Sequence, residues 1–325
     1  MKSRIRILVA LVLGILMLVT TGRADEKPAA VKVFILAGQA NMEGQGVVGL
    51  DHPKYYNGGR GTLQQIIRGA GKAETYKHIQ DSEGRWIVRD DVWCRFRTSR
   101  EVKKGPLTIG FAGYPGAHHI GPEFQFGHVI GDAVDAPVLL IKTAWGGKSL
   151  HKDFRPPSSG GETGPYYTRM LLEVRETLGN LGADFPELAG RSVEIVGFVW
   201  FQGWNDAVGP DEARNEYERN LVNLIKDVRK ALDCPNLSVV IGELGNGGEK
   251  ASPRILAIRK AQSAAVACPD FKDRVVFVKT TAFARPADES PNTGHGHHWF
   301  GNAESYFLIG DALGKAMKEL LCEAP

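Results

Sequence analysis

Residues 33–44 read Val-Phe-Ile-Leu-Ala-Gly-Gln-Ala-Asn-Met-Glu-Gly. The opening five residues are apolar without a break, as in a strand buried on both faces. Gly38 and Gly44 then mark a tight turn where another piece of backbone can come close. A buried strand that runs into a glycine turn is the opening of a βα unit, and Ala40 stands at its tip.

Working outward, the first strand is predicted over Val31–Ala37, and four similar runs follow at Pro137–Thr143, Glu194–Phe201, Leu237–Gly242 and Arg274–Lys279. Most are separated by amphipathic helical stretches. Tyr166–Leu178 spaces Met170, Leu171, Val174 and Leu178 along one helical face. Asp211–Leu232 does the same with Tyr217, Leu221, Leu224, Ile225 and Val228; Arg254–Val266 and Asn302–Leu321 are two more. This alternation predicts an α/β fold, with a mostly parallel sheet covered by helices on both faces. In such sheets the ligand crevice lies at the carboxyl ends of the strands, near the reversal of strand order. Ala40, Trp145, Gln202 and Gly245 each follow a predicted strand on that side.

Residues 44–121 break the alternation. They contain Asn57-Gly58-Gly59-Arg60-Gly61, a mixed helix around Thr62–Arg68, and short strands near Trp86–Val88 and Trp93–Arg97. They are predicted to form a long insertion after the first strand that shapes the crevice.

The chain has 325 residues, 43% of them apolar and 24% charged, so its core needs no metal or disulfide merely to fold. Residues 1–24 read as an export signal: a basic start (Lys2, Arg4, Arg6), an apolar run from Ile7 to Thr20, and small residues before Asp25. A single domain is expected over residues 25–325. The formal charge of +3 comes from 40 basic and 37 acidic residues. The leader holds four basic residues and no acid, so the mature chain carries 36 against 37, a net of −1. That balance argues against nucleic acid and an anionic membrane surface as partners. Cys94, Cys234, Cys268 and Cys322 contain no Cys-x-x-Cys spacing. Pairing of Cys234 with Cys268 and free buried thiols both stay open.

Four blocks carry a resemblance. They are Gly38-Gln39-Ala40-Asn41-Met42-Glu43-Gly44, Thr143-Ala144-Trp145-Gly146-Gly147-Lys148-Ser149-Leu150, Val199-Trp200-Phe201-Gln202-Gly203-Trp204-Asn205-Asp206, and Gly294-His295-Gly296-His297-His298-Trp299-Phe300-Gly301-Asn302-Ala303-Glu304. Together they resemble the sialate O-acetylesterase-like carbohydrate esterases, a branch of the SGNH hydrolases. The resemblance implies a three-layer α/β/α, flavodoxin-like SGNH-hydrolase fold and removal of acetyl groups from sugar hydroxyls without a cofactor. It places the nucleophile at Ala40, where relatives carry serine. Gly147, with Gly146 beside it, would donate a backbone N–H to the oxyanion, and Gln202 or Asn205 a side-chain amide. Gln39 flanks the nucleophile position. Trp204 replaces an acidic residue common in relatives and would stack on a sugar ring or pack in the core. His298 would be the base, with His297 as the fallback. The acid that relatives carry three residues earlier is His295 here; Asp288, Glu289 or Asp206 could replace it in space.

The dense histidines do not follow a known zinc spacing, so no metal is expected. Asn302 with Ser305 is expected to cap the last helix. His118 and His119 are read as crevice-lining residues ahead of a helix start at Gly121-Pro122-Glu123. His52, His78, His128 and His151 are expected to face solvent or to be satisfied, and Ser149 to be structural. A methyl group cannot attack a carbonyl. Two readings follow: an exported acetylesterase-like hydrolase impaired at Ala40, and an inactive protein that binds acetylated or plain glycans.

Overall fold

The computed structural model describes residues 28–49 and 56–323. The export signal expected over residues 1–24, and His52, lie outside the described residues. The strands are β1 (Val31–Gly38), β2 (Gly46–Val47), β3 (Val92–Arg97), β4 (Val102–Pro106), β5 (His119–Ile120), β6 (Val138–Ala144), β7 (Val193–Phe201), β8 (Ser238–Gly242) and β9 (Val275–Val278). Seven form one sheet in the order β4-β3-β6-β1-β7-β8-β9, while β2 and β5 make a separate antiparallel pair. All neighbours in the large sheet are parallel except the β3–β4 edge hairpin.

The helices are α1 (Ala40–Glu43), α2 (Leu63–Ile67), α3 (Ala73–Tyr76), α4 (Pro122–Ala133), α5 (Pro165–Gly179), α6 (Leu181–Asp184), α7 (Trp204–Val208), α8 (Asp211–Ala231), α9 (Pro253–Val266) and α10 (Ala303–Cys322). Successive residues of β1 point to opposite faces. Val31, Val33, Ile35 and Ala37 join one core with Met170 and Val174 of α5, Tyr217 and Leu221 of α8, and Ile258 of α9. Phe34 and Leu36 join the other with Phe124 and Ile130 of α4 and Phe307, Leu313 and Met317 of α10. These are the two covered faces that the apolar runs require.

The segment after β1 is not all peripheral. Within it, β3 pairs in parallel with β6 and extends the main sheet. The strand expected near Trp86–Val88 reduces to one bridge between Gln80 and Trp86. All four cysteines are free, Cys94 buried and Cys234 and Cys268 half-buried. Asn302 caps α10 as expected, its Oδ1 accepting from the backbone N–H of Glu304 and Ser305. No helix among the described residues is long and apolar enough to cross a membrane.

The sheet register builds the crevice. Gly38 is opposite Ala144 on one side and Phe201 on the other. The strand order turns at β1, because β3 and β6 lie to one side and β7 to the other. Gln39, Trp145 and Gln202 therefore leave the sheet along one rim, at the switch point where parallel sheets bind ligands.

Candidate active site

Ala40 opens α1, a single helical turn, and is 5% exposed. The sharpness of the turn comes from Gly38: its φ is +155°, and a Cβ there would lie 2.1 Å from the carbonyl oxygen of Phe201. Only glycine lets β1 and β7 approach so closely at this rim. Gln45 Nε2 donates to the Ala40 carbonyl at 3.3 Å and ties down the start of α1.

Gln39 is a buried latch between strand ends. Its Oε1 accepts from Gln202 Nε2, the Gly203 N–H and the Asn205 N–H, each at 3.2 Å. Its Nε2 donates to Asn205 Oδ1 at 2.8 Å. That bond fixes which way the Asn205 amide is turned: its oxygen is held by Gln39, and no group among the described residues accepts from its Nδ2. Asn205 is half-buried at the start of α7, and its side chain is held by Gln39, the residue before Ala40.

Gln202 sits differently. Its Nε2 donates to Asp206 at 2.6 Å, to the Lys148 carbonyl at 3.0 Å and to Gln39, and its Oε1 accepts from the Tyr217 hydroxyl at 2.9 Å. The amide is spent inside the protein. Asp206 is fully buried and also accepts the Leu150 and His151 N–H groups, both at 2.8 Å. Burial raises its pKa to about 6 against the pull of those donors. Its carboxylate thus fixes the loop after β6 and makes no contact with His298.

That loop holds Gly146 and Gly147, both exposed. Gly147 has φ +72° with open space where a side chain would be, and no described group accepts from its N–H. A Cβ on Gly146 would lie 3.7 Å from the Ala40 methyl. Ser149 is tied to Asp153, its Oγ donating at 2.9 Å, so its hydroxyl is engaged within the loop. Arg155 stitches the same loop through the carbonyls of His151, Ser159 and Gly160 and through Glu216. Beside it lies a cleft of about 710 Å³ lined by His151, Arg155, Thr163 and Glu216.

The histidine block forms a 3-10 turn over Gly296–Gly301. Trp299 and Phe300 take left-handed φ values of +52° and +55°, strain that the surroundings must hold. Asn41 and Asn246 both donate to the His297 carbonyl at 3.1 Å, and the Tyr306 hydroxyl donates to Asn41 Oδ1 and the His298 carbonyl. Gly245 makes room for the buried Trp299 ring, which lies 2.7 Å from where its Cβ would be. Asn41, Asn246 and Tyr306 thus place the histidines, and sequence reasoning missed all three roles. Asn41 sits in the first block and Asn246 directly follows Gly245 after a predicted strand; Tyr306 carries no signal beyond helical spacing.

His298 is half-buried. Burial first, then His297 and His295, lowers its pKa to about 4, so the ring is neutral near pH 7. The His297 and His298 rings lie 4.0 Å apart, and Trp204 lies 5.8 Å from His297. Trp204 is half-buried: it packs on the core with one part and meets His297 with another. Among the described residues no hydrogen bond or ion pair joins the His298 ring to a carboxylate. Asp288 and Glu289 are exposed on a neighbouring turn. No group of three or more His, Cys, Asp or Glu among the described residues could hold a metal.

Nearby histidines divide. His119 is buried and stacks on Tyr114 at 4.1 Å. His78 hydrogen-bonds Gln125 at 2.8 Å, and His151 Nδ1 faces Glu216 at 3.2 Å. His128 departs from expectation: it is 1% exposed, and neither ring nitrogen has a hydrogen-bond partner among the described residues.

The fold is a mainly parallel sheet covered by helices, with amide side chains and a histidine loop gathered at its switch point. The family model for carbohydrate esterases, sialic acid-specific acetylesterase, covers residues 30–317, and the chain belongs to that family. A protein of Arabidopsis thaliana named a probable carbohydrate esterase is 24% identical over 221 residues, 67% of this chain and 70% of its own. The crystal structure of an Arabidopsis thaliana protein superposes with a TM-score of 0.55 at 19% identity, over 89% of this chain and 98% of its own. The structure of NanS gives 0.56 at 13% identity, over 92% and 100%.

Proposed function

We propose that this chain is an exported carbohydrate O-acetylesterase-like protein that holds an acetylated sugar in the crevice and whose ester hydrolysis is impaired at Ala40. The observation that carries the reading is the Gln39–Asn205 bond. It leaves Asn205 Nδ2, beside the residue before Ala40, with no acceptor among the described residues; the Gly147 N–H on the loop after β6 likewise has none. Two such donors are what a developing oxyanion requires. Ala40 carries a methyl where the family's serine would supply a hydroxyl. Cleavage after Ala24 would make Asp25 the first residue of the secreted single-domain chain, with no membrane or nucleic-acid partner.

The second reading is a glycan-binding protein without turnover, and the unpaired His298 ring favours it. A serine nucleophile needs a base in the right tautomer, and no carboxylate among the described residues fixes one here. The test for both is to compare the parent with Ala40→Ser on 4-methylumbelliferyl acetate and on an acetylated xylan, and to measure binding of that glycan by calorimetry. The expected result is at least a hundredfold gain for the serine variant, since losing a triad nucleophile costs several powers of ten. An inert serine variant whose parent still binds the glycan supports the second reading. An inert variant whose parent binds nothing overturns both.

A further inference from the structure

Glu43 lies one helical turn after Ala40, so both face the same side of α1. Its carboxylate is set into backbone. Oε1 lies 2.5 Å from where a Cβ on Gly113 would stand, so only a glycine there leaves room for it. Oε2 lies 3.1 Å from the corresponding point on Gly146, which is itself 3.7 Å from the Ala40 methyl, and no other group outside the adjoining residues comes within 4 Å of that point. The carboxylate and the methyl therefore border one small open space.

Lys142, fully buried, steadies the helix from beneath. Its ammonium donates to the Glu43 carbonyl at 2.8 Å, to the Phe111 carbonyl at 2.7 Å and to Glu123 at 2.7 Å. It does not donate to the Glu43 carboxylate, which takes only the Gly146 backbone N–H; among the described residues no side chain donates to it. A carboxylate can accept about four hydrogen bonds, so capacity remains, and Oε2 is the oxygen that borders the open space.

We propose that Glu43 is a general base that activates a water seated in place of the missing serine hydroxyl, giving this chain a slow, single-step ester hydrolysis with no acyl-enzyme. The proposal rests on the acetylester reading of the crevice. Water oxygen attacks the acetyl carbonyl carbon while Glu43 takes its proton. The oxyanion is met by the Gly147 N–H and Asn205 Nδ2. Collapse breaks the bond between the carbonyl carbon and the sugar oxygen, and the proton passes from Glu43 to that oxygen. One ester and one water give acetic acid and a free sugar hydroxyl. Burial raises the Glu43 pKa above its ordinary value, which strengthens the base and brings it closer to neutral pH. His298, with its proton bound only near pH 4, is a poor donor to the leaving group under the same conditions.

The test uses the full mature chain with Ala40 in place and 4-methylumbelliferyl acetate as substrate. The expected result is hydrolysis about a hundredfold above the buffer blank, the low end of what a positioned base supplies. The rate should fall on the acid side as Glu43 protonates. Glu43→Gln should lose at least tenfold and that acid limb, with its melting temperature measured alongside. Its amide oxygen still accepts from the Gly146 N–H, so a purely structural carboxylate would tolerate the change. Glu43→Asp, which keeps the charge but withdraws it by one methylene, should fall between and serves if the glutamine variant fails to fold. A parent at the blank rate, or Glu43→Gln at the parental rate, overturns the proposal. If the parent is inert while Ala40→Ser is active, the crevice reading stands and the water route alone falls.

Discussion

Asn205 shows how much one orientation decides. Its backbone and its side-chain oxygen are both claimed by Gln39, so the amide nitrogen can only turn outward. In the Ala40→Ser background, Asn205→Ala should lower kcat by about a hundredfold or more with a smaller change in KM, the signature of a lost oxyanion donor. Steady-state kinetics on 4-methylumbelliferyl acetate will show it; an unchanged kcat would remove Asn205 from the site. At this scale the sequence was informative about place and poor about role. Gln39, Gln202 and Asn205 all lie at the crevice, yet Gln202 spends its amide on Asp206, Lys148 and Gln39. Which of two neighbouring amides is free depends in part on Lys148 and Gln39, 54 and 163 residues from Gln202, and local spacing does not encode that. The same holds for Glu43, which reads as an ordinary helix residue until Gly113 and Gly146 are seen to surround its carboxylate.

Elements were more legible where burial writes a pattern. The continuous apolar runs of β1, β6, β7, β8 and β9 are found in the structure to within a residue or two, because strands buried on both faces tolerate little else. Helices α5, α8, α9 and α10 follow their apolar spacing equally well. What stayed hidden was β4, Val-Lys-Lys-Gly-Pro, an exposed edge whose lysines hide the strand and guard it against pairing with another chain. Most of α4 was also unread beyond its start at Pro122, since eight of its residues are buried and the stripe that marks a surface helix is lost. The joint between β1 and β7 leaves no room for a side chain at Gly38. Gly38→Ala would push a methyl into the Phe201 carbonyl and should cost about 3 kcal/mol or more. Urea denaturation of the variant measures this, and a loss under 1 kcal/mol would show that the strand ends are free to separate.

The whole molecule should respond to acid through His128. This ring is sealed between α4 and the chain around His78, its pKa lowered to about 3, chiefly by burial and then by His78 and Arg89, with Asp132 and Asp91 pulling the other way. An unfolded histidine titrates near 6.5. The folded protein therefore refuses a proton that the unfolded chain accepts, and the stability this group supports is complete above about pH 6.5. It should fall by up to about 1.4 kcal/mol per pH unit as the pH drops from there toward 3. Urea midpoints between pH 7 and pH 4 should decline accordingly, and His128→Leu should flatten the decline. Identical slopes in the two proteins would mean that the ring is hydrated after all.

The crevice is assembled from opposite ends of the chain. Ala40 follows the first strand of the sheet, and the histidines come immediately before the last helix, where Tyr306 reaches back to Asn41 at 2.8 Å. During synthesis the seat and both amide donors are complete long before the histidine loop emerges. A product that ends before α10 would lose Phe307, Leu313 and Met317 from one core and, with Tyr306, the bond that ties the histidine loop to Asn41. Competence at this site is therefore gained in the last moments of biosynthesis, and a single late frameshift is enough to withhold it.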